Sequence, residues 1–226
     1  MSELLETRWL GSVPYGDALG LQIEALDLRK HGDGGDQLLL LEHPPVITLG
    51  RSTRPENVLV SETELAALGI ERHEVARGGD VTYHAPGQLV GYPIVDLSAW
   101  APAPRDVHRF LRAIEDALIE SLLDFELVAR RVEGKTGVFM ESDSSARVDR
   151  KIASIGIGVR RWVSYHGFAL NVSVDLAGFR VIVPCGLENV EMTSVAAELE
   201  RAGREVPGDL DVQMRAAVQE AFERRI

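Results

Sequence analysis

Short apolar runs crowd the middle of this chain in adjacent groups, with helices set between the groups and no regular βαβ alternation. Leu38 to Leu41, Val46 to Leu49, Arg72 to Ala76, Val81 to His84 and Gln88 to Asp96 read as strands. So do Phe125 to Arg131, Gly137 to Glu141, Lys151 to Val159 and Val163 to Val174. A helix is predicted over Gly16 to Lys30, with Ala18, Leu21, Ile23, Leu26 and Leu28 supplying its apolar face. A short helix over Glu62 to Leu68 is opened by Ser61 and Glu64 at capping-box spacing. A longer one runs from Arg105 to Leu123, where Val107, Phe110, Leu111, Ile114, Leu118 and Leu122 share a face. Two more follow in the tail, from Thr193 or Ser194 and from Asp211. This order predicts the α+β class: a mixed sheet with helices packed on one side, in a single domain over 1–226. HGDGGD after the first helix reads as a loop, and the serine-rich stretch Glu141 to Arg150 as an exposed turn.

Charge narrows the partners. Lys plus Arg number 24 against 35 Asp plus Glu, a net charge of −11, and a field of that sign repels nucleic acid and anionic membranes. Neither is expected as a partner. One cysteine, Cys185, cannot close an internal disulfide, which fits a reducing compartment. The N-terminus lacks the basic start and apolar run of a signal peptide, so a cytoplasmic location is expected. The six histidines are scattered, and with a single thiol they offer no metal-ligand spacing, so no metal is expected. Neither a Gly-x-Gly-x-x-Gly fingerprint nor a Walker-type loop occurs. Three of the basic residues are lysines (Lys30, Lys135 and Lys151), and lysine, unlike arginine, can give up its proton inside a protein.

Four segments carry residues suited to chemistry. In Arg77-Gly78-Gly79-Asp80-Val81-Thr82-Tyr83-His84, paired glycines let a backbone approach a ligand, and hydroxyl and imidazole groups follow at a strand end. A plain β-hairpin accounts for that segment equally well. Lys151 opens an otherwise apolar strand, where a lysine ordinarily snorkels to the surface. Ser164 to Asn171 reads as a second lining strand, or as a core strand with a satisfied histidine. In Val183-Pro184-Cys185-Gly186 the thiol is ordinarily a small buried hydrophobe. Pro184 nevertheless fixes the approach, and Gly186 leaves an unhindered N–H beside the sulfur, a candidate oxyanion donor.

Taken together, RGGDVTYHAPGQLVGYPI, RKIASIG, YHGFALNV and VPCGL, with LEHPPVITLGR at residues 41–51, resemble the motifs of the lipoyl(octanoyl) transferases. The resemblance runs in order from Pro14 to Val195. It implies the α+β fold shared with lipoate–protein and biotin–protein ligases. It also implies the family's reaction: octanoyl moves from octanoyl-acyl carrier protein to a lysine of lipoyl domains, the first step of protein lipoylation. The acceptors are those of the 2-oxoacid dehydrogenase complexes and the glycine cleavage H protein. Cys185 would carry the acyl group as a thioester, and Lys151 would stabilise its thiolate and move protons. Arg77 to His84, Ser154, Ile155 and Gly156, and Gly167, Phe168 and Ala169 would line the substrate site. Two departures stand out: Ala85 replaces a usual glycine, predicting a stiffer turn, and Phe139 replaces a common tryptophan, predicting altered packing clear of Lys151 and Cys185.

The donor thioester is already activated, so no ATP and no other cofactor is expected. Thioester exchange is nearly isoenergetic and amide formation is downhill, so the covalent intermediate splits one three-body encounter into two visits. Burying an eight-carbon chain at about 0.8 kcal/mol per methylene yields on the order of 5 kcal/mol for chain-length selection. Gly78, Gly79, Ala153, Gly156, Gly167 and Ala169 are candidates for leaving it room, and His84 and Tyr83 for orienting the thioester carbonyl. An acidic carrier meeting an acidic enzyme calls for a local basic mouth, with Arg51, Arg54, Arg77 and Arg160 as candidates. Three rivals stay open: an ATP-dependent lipoate or biotin ligase, a non-catalytic module that holds acylated carriers, and a Cys–His hydrolase.

Overall fold

Leu38, Leu39, Leu40 and Leu41 are all essentially without exposure, so their strand must be covered on both faces. The computed structural model describes residues 5–141, 148–184 and 189–226. In chain order the elements are β1 (Glu6–Ser12), α1 (Tyr15–His31), β2 (Gln37–Glu42), β3 (Val46–Leu49), α2 (Glu62–Ala67), β4 (Glu71–Glu74), β5 (Val81–His84) and β6 (Gln88–Ile94). They continue with α3 (Val107–Leu123), β7 (Ala129–Val132), β8 (Lys135–Met140), β9 (Asp149–Arg160), β10 (Val163–Asn171), β11 (Val190–Met192), α4 (Val195–Arg201) and α5 (Leu210–Arg225).

The main sheet runs β1-β2-β6-β10-β9-β8-β7, and β11 pairs with β9. β1 with β2 and β11 with β9 are parallel, and the other pairs are antiparallel. A second, smaller sheet is ordered β4-β3-β5. The class and the mixed sheet match the expectation. The helices, expected on one side, divide between the two faces. Leu38 and Leu40 point into a core with Phe110, Ile114 and Leu118 of α3 and Met214, Val218 and Phe222 of α5. Leu39 and Leu41 point the other way, against Ala18, Ala25 and Leu26 of α1. The period of two along a strand buried on both faces forces this split. Leu28, expected on the buried face of α1, is 42% exposed, and Gln22 takes a buried place there instead.

Local signals placed most boundaries. Ser61 and Glu64 form the reciprocal capping box, and Asp106 caps α3 by accepting the Arg109 N–H. The expected strand from Phe125 shortens to β7. Glu126 takes a left-handed φ of 52°, and the Leu127 N–H returns to the Leu122 carbonyl, so 125–127 close the helix, and Val128, whose carbonyl accepts the Glu141 N–H, leads into β7. Ala85 costs the turn before β6 nothing, because the left-handed residue there is Gly87, at φ 82°.

β11 lies beside β9 where β10 has ended. Met192 pairs with Lys151, whereas Leu170, near the end of β10, pairs with Ala153. On the opposite edge of β9, Phe139 of β8 pairs with Lys151. Lys151 is therefore held from both sides, by the strand that follows residues 185–188 and by β8.

Candidate active site

Lys151 is 1% exposed, an extreme value for an amine, and its side chain reaches back across β8. Its Nζ donates to the Thr136 carbonyl at 2.9 Å. The route crosses Gly137, whose φ is 125°. A methyl group there would lie 2.7 Å from Lys151 Cε and 2.5 Å from the Ala153 carbonyl. Glycine at 137 thus makes the passage for the amine. Beneath lies the Phe139 ring, its centroid 5.4 Å from Nζ, so the aromatic expected clear of Lys151 is in contact with it.

The amine lines a cavity of about 200 Å³. That is below the ~300–1,000 Å³ of pockets for drug-sized ligands and suits a slender chain. Gly134, Lys135 and Thr136 surround Lys151, while Ser154, Ile155, Gly156, Gly167, Phe168 and Ala169 form the middle of the wall. Arg77, Gly79, Asp80, Val81, Thr82 and His84 line it too, with Tyr15, Tyr92 and His166.

Of the residues expected together, most meet here, and three do not line the cavity. Tyr83 points away: it packs edge-on against Phe179, 5.4 Å between centroids, in the core of the small sheet. Thr82 and His84 share one face of β5, so Tyr83 must take the other. Gly78 stands behind the wall, its N–H on the Ile157 carbonyl. Ala153 is buried in the core under α3. Cys185 and Gly186 lie outside the described residues, as does most of the stretch Glu141 to Arg150. The small residues also serve a purpose other than the one expected of them. Gly156 pairs directly with Gly167; a methyl at 156 would sit 2.7 Å from the Gly78 carbonyl, and one at 167 would run into the Gly91 carbonyl. They let neighbouring backbones close up.

The four candidate arginines separate as well. Arg77 is buried, donating from Nη2 to the Thr48 carbonyl at 2.7 Å and from Nη1 to the Gly78 carbonyl at 3.0 Å. Arg51 is exposed beside it, its N–H on the Arg77 carbonyl. Arg160 ends β9, nine residues from Lys151, and with the exposed Arg54 it lies off the cavity wall.

On the far wall, sequence reading found His84 and missed its companions. His43, His84, Tyr15 and Tyr92, distant in the chain, form one polar cluster: His43 and His84 ring centroids lie 5.6 Å apart, Tyr15 and His43 5.2 Å. His43 Nδ1–H donates to the Val13 carbonyl at 2.6 Å, and its Nε2 accepts the Tyr92 hydroxyl at 2.7 Å. His84 Nδ1–H donates to Gln88 Oε1 at 2.7 Å. In the neutral rings those bonds place the proton on Nδ1. Burial, with smaller contributions from His43 and Arg77, pushes His84 down to about 3; burial pushes His43 down to about 4. Burial pushes Tyr15 up to about 12, so it stays a hydroxyl donor.

Of the two readings of Ser164 to Asn171, a lining strand or a core strand with a satisfied histidine, His166 fits the first, for it lines the cavity. Its Nε2 is buried without a hydrogen-bond partner among the described residues. Its backbone stands at φ 55°, held by an N–H bond to Gln22 Oε1 at 2.8 Å. Burial first, then Arg77 and Arg51, push it down to about 4. Its place directly ahead of Gly167-Phe168-Ala169 was the one signal available.

From β5 a buried chain of bonds crosses the sheet. Gln88 Nε2 donates to Asn171 Oδ1, and Asn171 Nδ2 donates to the Thr193 carbonyl, each at 2.8 Å. The Thr193 N–H returns to the Lys151 carbonyl at 2.9 Å. On the other flank Asn57 donates to Asp80 Oδ2 at 2.5 Å, and its carbonyl accepts the Val183 N–H at 2.8 Å. Residues 183 and 190–193, either side of Cys185, are thereby tied to Asp80 and to Lys151.

Among the described residues no group of three or more His, Cys, Asp or Glu is arranged to hold a metal, and no helix is long and apolar enough to cross a membrane. The fold is similar to that of a bipartite lipoate protein ligase from Thermoplasma acidophilum. Its TM-score is 0.70 at 18% identity, over 98% of this chain and 84% of that one. A biotin protein ligase from Leishmania major is similar at a TM-score of 0.53 and 12% identity, over 96% and 73%. In sequence the chain is 48% identical to an octanoyltransferase of Solibacter usitatus over 202 residues, 89% of this chain and 87% of the relative. Residues 14–222 match the lipoyl protein ligase A/B catalytic domain. With that domain over most of its length and near-half identity to a curated relative, the chain belongs to the octanoyltransferase family.

Proposed function

We propose that this protein transfers an octanoyl group from octanoyl-acyl carrier protein to a lysine of a lipoyl domain, through a thioester on Cys185. The observation that carries the reading is Lys151. It is a buried amine on the wall of a slender cavity, on the strand paired with residues 190–192 just after the cysteine segment. In the first step the Cys185 thiolate, its proton held on Lys151, attacks the donor's thioester carbonyl, the carbon–sulfur bond to the carrier breaks, and the carrier sulfur leaves as a thiol with the proton from Lys151, whose amine is then neutral. In the second, the acceptor lysine's neutral amine attacks the Cys185 thioester. The nitrogen's surplus proton passes to Lys151, and the cysteine sulfur leaves as a thiolate. Arginine could stabilise the thiolate but could not take that proton.

The cavity supports the chain-like substrate. Ser154 stands three residues beyond Lys151 along β9, about 10 Å at ~3.3 Å each, and both lie on the cavity wall. The acceptors we assign are the lipoyl domains of 2-oxoacid dehydrogenase complexes and the glycine cleavage H protein, in the cytoplasm.

The test is intact mass spectrometry after mixing with octanoyl-acyl carrier protein, with Cys185→Ser as control. A hydroxylamine-sensitive octanoyl adduct on the parent, none on the variant, and passage of the adduct to a lipoyl domain without ATP are expected. Transfer that requires ATP would assign the chain to the ligases. Free octanoate without acceptor would make it a hydrolase, and binding with no adduct would make it a carrier module.

A further inference from the structure

Beyond Lys151 itself, the structure holds a buried carboxylate that reaches the amine through a single peptide group. Glu115, midway along α3, has a fully buried side chain. Its Oε1 accepts the Gly137 N–H at 3.1 Å. The other end of that same planar peptide group, the Thr136 carbonyl, accepts from Lys151 Nζ at 2.9 Å. Carboxylate, amide and amine thus lie in series, and in a low-dielectric interior hydrogen bonds in series polarise one another. A negative charge on the N–H side draws electron density onto the carbonyl oxygen and tightens its hold on the amine. Burying a carboxylate needs compensation, and Oε2 receives it from Arg112 Nη1 at 2.6 Å and Arg131 Nε at 3.1 Å.

The backbone around this peptide is shaped for the relay. The β8–β9 ladder shifts register between Val138 and Phe139. Gly137, at its left-handed φ, lies beyond the paired residues, which turns its N–H toward α3 and the Thr136 carbonyl toward Lys151. We propose that Glu115 is a positioning residue for Lys151, fixing the amine's place through the 136–137 peptide. This rests on the reading of Lys151 as the group that handles the proton.

The experiment combines nuclear magnetic resonance of the lysine Nζ groups with transfer kinetics on the full chain. Three lysines give three Nζ signals, and Lys151→Arg assigns the one that matters. Glu115→Gln should move the Lys151 signal and slow octanoyl transfer about tenfold, with little change in KM for the donor. Asp116→Asn, which removes the same charge one residue along the helix, should do neither. In a Lys151→Ala background, Glu115→Gln should add nothing to the loss. Glu115→Asp, which keeps the charge but shortens the reach, should move the signal as well, and serves if Glu115→Gln fails to fold. A Lys151 signal unmoved by either variant overturns the proposal, and so does a loss that is additive with Lys151→Ala. A moved signal together with full activity of Lys151→Ala would uphold the relay and overturn the catalytic reading of Lys151.

Discussion

The two ends of the cavity are equally dry and treat their titratable groups in opposite ways. At one end a single amine crosses a glycine to reach a carbonyl, with a carboxylate behind that carbonyl. At the other, His43, His84 and His166 share the interior with the buried Arg77; burial keeps all three imidazoles neutral, and that cation adds to it at His84 and His166. Burying a group that can shed its charge favours the neutral form, and the imidazoles take it; behind the amine's carbonyl partner stands a carboxylate of opposite sign. The amine end therefore has the equipment to move a proton, and the imidazole end gives shape and hydrogen bonds.

The sharpest way to break this contrast is to remove the amine. Lys151→Ala should lower transfer to a lipoyl domain by about 10²–10⁴-fold, followed by quenched-flow kinetics. Lys151→Arg should still acylate Cys185 and fail in the second step; normal transfer by that variant would show that no proton passes through position 151.

Acidity tests the imidazole end. A histidine held near 3 or 4 in the folded state and near 6.5 in the unfolded chain leaves the unfolded state with more bound protons between those values. Stability is therefore complete above pH 6.5 and falls on acidification, by about 1.4 kcal/mol per pH unit for each of the three. Urea midpoints from pH 7 to 4.5 measure the slope, and His84→Asn should flatten it. A flat profile would mean that the imidazoles are charged and paired.

Gly137→Ala places a methyl against a carbonyl and the lysine stem at a φ that alanine resists, so a loss of about 2–4 kcal/mol is expected in the same assay, with activity reduced. Smallest is Tyr92→Phe, which leaves His43 Nε2 without its donor and should cost about 1–3 kcal/mol with transfer little changed. A large kinetic effect there would give the neutral end a chemical role.

Local signals in the chain carried much of this. The capping box at Ser61, the strand Val81 to His84 and the face of α3 depend on neighbours a few residues away, and they stand where periodicity puts them. The same period of two places Tyr83 on the face of β5 opposite Thr82 and His84, which motif reading alone passes over. Helices on both faces follow from Leu38 to Leu41, an unbroken apolar run with no polar face to spare. The far wall is different in kind: Tyr15, His43, His84 and Tyr92 meet only because α1, the β2–β3 connection, β5 and β6 converge, and nothing near any one of them announces the others. Glu115 was hidden for the same reason, as a carboxylate on a helix otherwise read by its apolar stripe.

Where Gly156 faces Gly167, with the carbonyls of Gly78 and Gly91 pressed close, main chain on the cavity wall closes on main chain, and nothing smaller than hydrogen can be substituted there to make room. Any redesign toward bulkier or longer acyl groups must act on side chains of the cavity wall and would leave this main-chain contact as it is.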